Sequence, residues 1–279
     1  IKGFKDGDYA MIYGYPGSTN RYETSYGIKL KNEVENPSLV ALRDMRLKYM
    51  YEQMIKDPAV KLKLASNYAG VANYWKFFEG ETKQLLKFKT QQQKEDFEKQ
   101  FTVWAKGKPG YENLMADYAK NYQTWSPYSK MRQYLNEGVL GSPLAAFAAS
   151  LVTLEDKLMK ANTPAAELKK ALEAASANRK AFLEAEDLPS DEKIVASVAM
   201  MYYNDIDKNQ HPIGFYESMK ANYGSLKEEV TFKNWAKALF TNTMVLDDFK
   251  WNAFVEKPEA VALQNDPAFA YGAGFLKNY

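Results

Sequence analysis

Only one side chain in this 279-residue chain titrates near neutrality without help: His211, in Asn209-Gln210-His211-Pro212. A serine nucleophile needs such a base beside it. The sequence contains no Gly-x-Ser-x-Gly turn. Gly141-Ser142-Pro143 superficially resembles a nucleophile turn, but it opens an Ala-rich apolar segment, where Ser142 reads as a helix N-cap. His211 lies in a polar turn before a helix and reads as a loop or cap residue. The chain has no cysteine, which excludes disulfides, thiolate nucleophiles and thiolate metal sites, and a single histidine excludes two-His zinc motifs. The paired carboxylates Asp205/Asp207 and Asp247/Asp248 could serve acid–base or metal chemistry. They read more simply as a helix end and as partners of a helix N-terminal dipole. Gly272-Ala273-Gly274 is too short for a phosphate loop. The residues therefore predict no catalytic constellation within the chain and imply no cofactor or metal.

One position points to ligand binding instead. Asn73 lies in Tyr68-Ala69-Gly70-Val71-Ala72-Asn73-Tyr74-Trp75-Lys76. On a helix it sits about 160° from Trp75, opposite the apolar stripe, with Gly70 and Phe77 within about 60° of it. A small residue, a neutral amide and an aromatic ring on one face suit a primary ammonium, which needs acceptors and tolerates a π face. An amide used only for a helix-to-helix hydrogen bond would fit the same pattern.

The elements that must carry these residues read as helices almost throughout. Asn36-Pro37 and Asp57-Pro58 are start signals, with a cap residue followed by proline at the first helical position. Leu39, Leu42, Met45 and Tyr49 follow the first. Val60, Leu64, Tyr68, Val71, Trp75 and Phe78 follow the second, with Gly80 as its expected end. A polar helix bearing Phe97, Phe101 and Trp104 is broken by Gly107-Lys108-Pro109-Gly110, and Tyr111, Leu114, Tyr118, Tyr122 and Trp125 form the next stripe. Leu144 to Leu158 is expected to be the most buried helix. Thr163-Pro164 and Pro189-Ser190 start two more, and shorter helices are predicted near 213–222, 231–241, 247–255 and 267–277. No repeat of fixed period emerges.

Only the beginning reads differently. Met11, Ile12 and Tyr13 resemble the end of a buried strand, and Gly14 and Pro16-Gly17 supply turn chemistry. One strand is not stable alone, so this segment is expected to be part of a sheet whose other strands lie outside the chain. The expected fold is mostly α, an irregular multi-helix domain with a short N-terminal β segment. The composition is ordinary for a globular protein, 46% hydrophobic with a formal charge of +2. That balance gives no electrostatic case for nucleic acid, and no apolar run reaches the ~20 residues of a membrane span.

Several of these residues together resemble a known family. Tyr15-Pro16-Gly17-Ser18-Thr19-Asn20-Arg21-Tyr22, Asn36-Pro37 with Arg43 in its helix, and Asn73-Tyr74-Trp75-Lys76 are similar, in this order, to bacterial serine dipeptidyl-peptidases. The group is the one containing dipeptidyl-peptidases 7 and 11; Asp266-Pro267 is a weaker echo. The resemblance implies a chymotrypsin-like double barrel interrupted by an inserted helical domain that caps the cleft. Residues 1–30 would then end the first barrel segment, and residues 31–279 would be the cap, left as a β-derived remnant and a helical fragment without the triad. It further implies release of dipeptides from free peptide N-termini, with Asn73 helping to hold the α-amino group and Asn67 as the alternative position. The implied partners are peptide substrates, the barrel of the same polypeptide and a second copy in a homodimer. The implied location is periplasmic, cell-surface or secreted, with any signal peptide outside this sequence. A helical peptide-binding or scaffold protein without catalysis is the competing reading.

Overall fold

The computed structural model describes residues 3, 5–11, 13–14 and 20–279. The first regular element is α1 (Ser25–Leu30), capped by the Thr24 hydroxyl, which accepts from the Gly27 N–H at 3.2 Å. It continues through a π turn (Lys31–Glu35) into α2 (Asn36–Met54) without a break. Asn36-Pro37 is thus not a helix start. Pro37 lacks an N–H, and its ring would crowd the carbonyl four residues back; the wider turn, in which the Asn36 N–H bonds to Lys31 O, relieves both problems. The Asn36 side chain is buried and acts across helices, donating to Glu81 and Thr82 at 3.0 Å each.

Asp57 does cap α3 (Pro58–Lys87), accepting from the Ala59 N–H at 2.8 Å. Asn36 meets Glu81, and Arg43 meets Val71, so α3 runs antiparallel to α2. The helix runs through Gly80, because the Asn36 contacts hold residues 81 and 82 against α2 as another helical turn. A left-handed Lys89 (φ 52°) turns the chain into α4 (Thr90–Ala105). Gly107 and Gly110, with φ of 70° and 85°, make the predicted break. Next, α5 (Leu114–Gln133) runs into a second π turn, Tyr134–Gly138.

The segment expected as one buried helix is two, α6 (Pro143–Ser150) and α7 (Val152–Met159), separated at Leu151. Seven further helices follow: α8 (Ala165–Ala185), α9 (Leu188–Asp205), α10 (Phe215–Tyr223), α11 (Glu229–Asn242), α12 (Asp248–Glu256), α13 (Ala260–Gln264) and α14 (Pro267–Asn278). The core lies among α6, α9, α11 and α14, where Leu144, Ala148, Val195, Val198, Ala199, Phe232, Ala236 and Phe275 are almost fully buried. Phe215, Trp235, Tyr271 and Phe275 interlock there, largely edge to face.

The fold is mostly α, as expected, but the N-terminal β segment is not found. Among the described residues there is no strand, and Met11 and Tyr13 are 71% and 98% exposed. An extended segment needs a neighbour to pair its N–H and C=O groups, and no described residue supplies that edge. Ile12 and residues 15–19, which are the whole of the Tyr-Pro-Gly-Ser-Thr run, lie outside the described residues. No single helix is long and apolar enough to cross a membrane.

Candidate functional site

The face of α3 that turns away from α2 carries the predicted binding residue, Asn73. Leu64 and Val71 are buried on the packed side, and the Trp75 indole nitrogen is enclosed there without a hydrogen-bond partner. Asn73 is exposed, and among the described residues its amide has no hydrogen-bond partner. A Cβ built on Gly70 would meet nothing within 4 Å, so one turn before Asn73 the helix surface is open down to the backbone. Beside it Tyr74 and Phe77 are each 54% exposed. The rings of Tyr74, Phe77 and Phe78 form a shelf, with centroids 5.4 to 6.5 Å apart. An unengaged amide oxygen beside aromatic faces can accept from an ammonium while the rings stabilise its positive charge. Asn67 is exposed on the same helix but lies about 120° around and about 9 Å along from Asn73, so the two do not share a face.

Beneath the shelf lies a buried ionic cluster. Arg43, on α2, is 9% exposed and reaches α3 in three ways. Its Nη1 donates to the Val71 carbonyl at 3.2 Å, and its guanidinium carbon lies 5.3 Å from the Tyr74 ring centre and 5.7 Å from that of Phe78. Its Nη2 pairs with Glu137 at 2.5 Å, and the other Glu137 oxygen accepts from Arg46 at 3.2 Å. Burial lowers the pKa of Arg46, opposed by the Glu137 charge. One carboxylate on the second π turn thus pairs with two arginines of α2. Sequence reasoning noticed Arg43 only as part of a motif and missed Glu137 altogether. A signal was available: Leu39, Arg43 and Leu47 are spaced by four and all are buried, so a cation occupies the apolar stripe and requires a buried partner.

The other candidates have structural work. Ser142 is wholly buried and caps α6, accepting from the Ala145 N–H at 3.2 Å. His211 bonds through Nε2 to the Ile206 carbonyl at 2.9 Å and packs among Tyr202, Tyr203 and Tyr216; burial lowers its pKa. Asp205 accepts from the Tyr134 hydroxyl at 2.6 Å. Asp247 caps α12 through the Lys250 N–H at 3.0 Å, and Asp248 pairs with Arg179 at 2.8 Å. Asp266 caps α14 and ties it to Thr243 and Met244. Gly272 is a packing residue: a Cβ there would lie 2.3 Å from the Ala145 carbonyl oxygen. Among the described residues no three His, Asp or Glu side chains gather to hold a metal.

A family model described as Peptidase S46 matches residues 1–277. The Asp/Glu-specific dipeptidyl-peptidase of Flavobacterium psychrophilum is 30% identical, over 100% of this chain and 38% of that protein. Dipeptidyl-peptidase 7 of Phocaeicola vulgatus is 26% identical, over 97% and 37%. The crystal structure of Porphyromonas endodontalis DPP11 in complex with the dipeptide Arg-Glu superposes with a TM-score of 0.74 at 20% identity, over 95% of this chain and 37% of that one. That last match concerns the fold alone. The chain spans well under half the length of each of these relatives.

Proposed function

We propose, from the premise that this chain belongs to the peptidase S46 family, that it is the helical part of a serine-type dipeptidyl-peptidase, capping the cleft and binding the substrate α-amino group. The observation that carries the reading is Asn73: an exposed, unengaged amide, next to open backbone at Gly70 and an aromatic shelf, within a family whose relatives are named for dipeptide release. In this reading the helices are the inserted cap, and the rest of the polypeptide supplies nucleophile, base and acid. The reading includes a periplasmic, cell-surface or secreted location and homodimeric assembly.

The chemistry follows from what a dipeptidyl-peptidase must measure. It has to hold the ammonium at a fixed distance from the nucleophile, so that only the second peptide bond is aligned for attack. Asn73 Oδ1 accepts one ammonium N–H. Being neutral, the amide needs no proton change to do so, and the half-exposed rings of Tyr74 and Phe77 offer π faces to the ammonium beside it. A hydrogen bond to a charged group contributes about 1.5–3 kcal/mol, or roughly 10- to 150-fold in kcat/KM if it is made in the transition state.

The test is Asn73→Ala in the full-length enzyme. Cleavage of peptides with free N-termini is expected to fall by about that factor, with Tm nearly unchanged, while residual cleavage of acetylated peptides stays the same. A variant that keeps its preference for free N-termini and loses only stability overturns the assignment. The isolated 279-residue chain should show no turnover; turnover abolished by Ser142→Ala would contradict the division of labour.

A further inference from the structure

Arg43 touches α3 on either side of Asn73 without reaching the ligand face itself. Its hydrogen bond goes to Val71, two residues before, and its guanidinium packs against Tyr74 and Phe78, one and five residues after. The remaining charge is taken up by Glu137 on the π turn that follows α5. This is more than α3 needs in order to be a helix: the Val71 carbonyl already lies within a continuous helical ladder, so the arginine engages its second lone pair. We propose that Arg43, backed by Glu137, is the positioning residue of the α-amino site: it fixes the height and rotation of the Val71–Phe78 segment and thereby sets where the Asn73 amide meets the substrate ammonium.

The inference rests on the reading of Asn73 above. The rest of α3 makes the placement informative. Across thirty residues it fully buries only Leu64 and Val71, with Tyr68, Trp75 and Phe78 half-buried, and such apolar contact is non-directional, so by itself it does not fix the middle of the helix against sliding or rolling. A planar guanidinium held in one orientation by a carboxylate and two rings resists both motions, because each would break the directional bond to Val71. Glu137 also retains Arg46, so loss of Arg43 does not leave that carboxylate without a cation. The site can therefore be probed with less risk to the fold.

The test is a double-mutant cycle in the full-length enzyme. It uses Arg43→Met, Asn73→Ala, the pair together and Arg43→Lys, with kcat and KM for free and acetylated peptides and Tm for each. Arg43→Met is expected to lower kcat/KM for free N-termini by about tenfold. In the Asn73→Ala background the same change should cost less than about twofold, since coupled residues are not additive. Arg43→Lys keeps the charge but cannot engage Val71 and Glu137 in the same fixed fork, and is expected to recover only part of the loss. Three outcomes overturn the proposal. If Asn73→Ala is silent, the α-amino reading itself fails and the inference fails with it. If Asn73→Ala is impaired but Arg43→Met is silent on kcat/KM, or multiplies fully with it, only the positioning role fails. If Arg43→Met lowers Tm and affects free and acetylated peptides equally, Arg43 is a stability residue. Should Arg43→Met not fold, the same cycle is run with Arg43→Lys.

Discussion

Helices α3 and α14 begin with the same two residues and end up in opposite surroundings. Asp57-Pro58 and Asp266-Pro267 both supply a capping carboxylate followed by a proline, and both carboxylates accept from the N–H two residues on, at 2.8 and 2.9 Å. Yet α3 buries two of its 30 residues, whereas α14 buries six of its 12. The cap sets where a helix starts; what the helix meets depends on its surface. Small residues at Ala268 and Gly272, one turn apart, let α14 approach the backbone of α6, and Phe269, Tyr271 and Phe275 fill the space around that contact. On α3 the small residues Ala69 and Gly70 lie on the outer face and meet solvent, beside the amide proposed to bind the ligand. A close approach became a packing contact in one helix and a vacant binding surface in the other.

The sharpest way to break this comparison is Gly272→Ala. The new Cβ would lie 2.3 Å from the Ala145 carbonyl oxygen and 3.1 Å from its carbon. Both are backbone atoms, so no rotamer change relieves the overlap and the helices must separate. A loss of about 3 kcal/mol or more is expected, at the upper end of the range for overpacking. Urea denaturation should report it as a lower midpoint with an unchanged slope. A neutral result would mean that α14 and α6 are not in close contact.

A second contrast separates the charges of the two regions. Near the start of α9, buried Asp191 accepts from the Leu144 N–H at 2.9 Å, and burial raises its pKa from 3.8 to about 6. Burial, and then the charge of Asp191, raises Glu186 from 4.5 to about 7, against the pull of Lys63. Both acids hold their protons more tightly in the folded chain than in the unfolded one. Their contribution is therefore complete at low pH and is lost as pH rises from about 4 to about 7. Arg46 and the Ser142 hydroxyl favour the Asp191 anion, and Asp187 disfavours it. His211, whose pKa burial lowers, works in the opposite direction and removes stability as pH falls below its usual value. Asp191→Asn should flatten the acidic side of the stability profile by on the order of 2 kcal/mol between pH 4 and pH 7. Denaturation midpoints across that interval check it; an unchanged slope would mean that Asp191 is ionised in the fold at pH 4.

Much of α14 and its neighbours was legible in the sequence, and less of α3 and the N-terminus. The caps at Asp57 and Ser142, the glycine break at 107–110 and helices α10, α11, α12 and α14 rest on local chemistry, and local chemistry is written in neighbouring residues, whereas the short α13 was not anticipated. The failures occurred where context outside the short motif decides. Asn36-Pro37 looks like a start only if the preceding helix is ignored, and Gly80 looks like an end only if the grip of Asn36 on Glu81 and Thr82 is unknown. Met11 and Tyr13 have strand-forming side chains, but a strand also needs an edge to pair with, and side-chain type does not reveal whether one exists. At the candidate site the outward face of Asn73 followed from helical geometry. The ion pair from Arg43 to Glu137 spans 94 residues of sequence and could be anticipated only as an arginine in need of some buried anion.

The smallest expected effects give the finest version of the comparison, because α3 contains two glycines in open surroundings. A Cβ at either Gly70 or Gly80 would meet nothing within 4 Å, and neither has a positive φ. Each therefore costs helix stability with no packing return, and Gly70→Ala and Gly80→Ala should each stabilise the protein by about 0.5–1 kcal/mol. Their effects on turnover in the full-length enzyme should differ. Gly80 lies seven residues from Asn73, on the same face but about 10 Å along the helix, beyond the reach of one methyl group, and its substitution should leave kcat/KM unchanged. Gly70 is one turn from Asn73 on the same face, and a methyl group there stands within about 5–6 Å of the Asn73 Cβ. It should narrow the approach to the amide and lower kcat/KM for peptides with free N-termini severalfold, through KM. Two stabilised variants of which only Gly70→Ala is slowed would show that the open backbone at Gly70 serves a ligand. Equal activity in both would mean that the substrate passes elsewhere, and the exposed face of α3 would then need a different occupant.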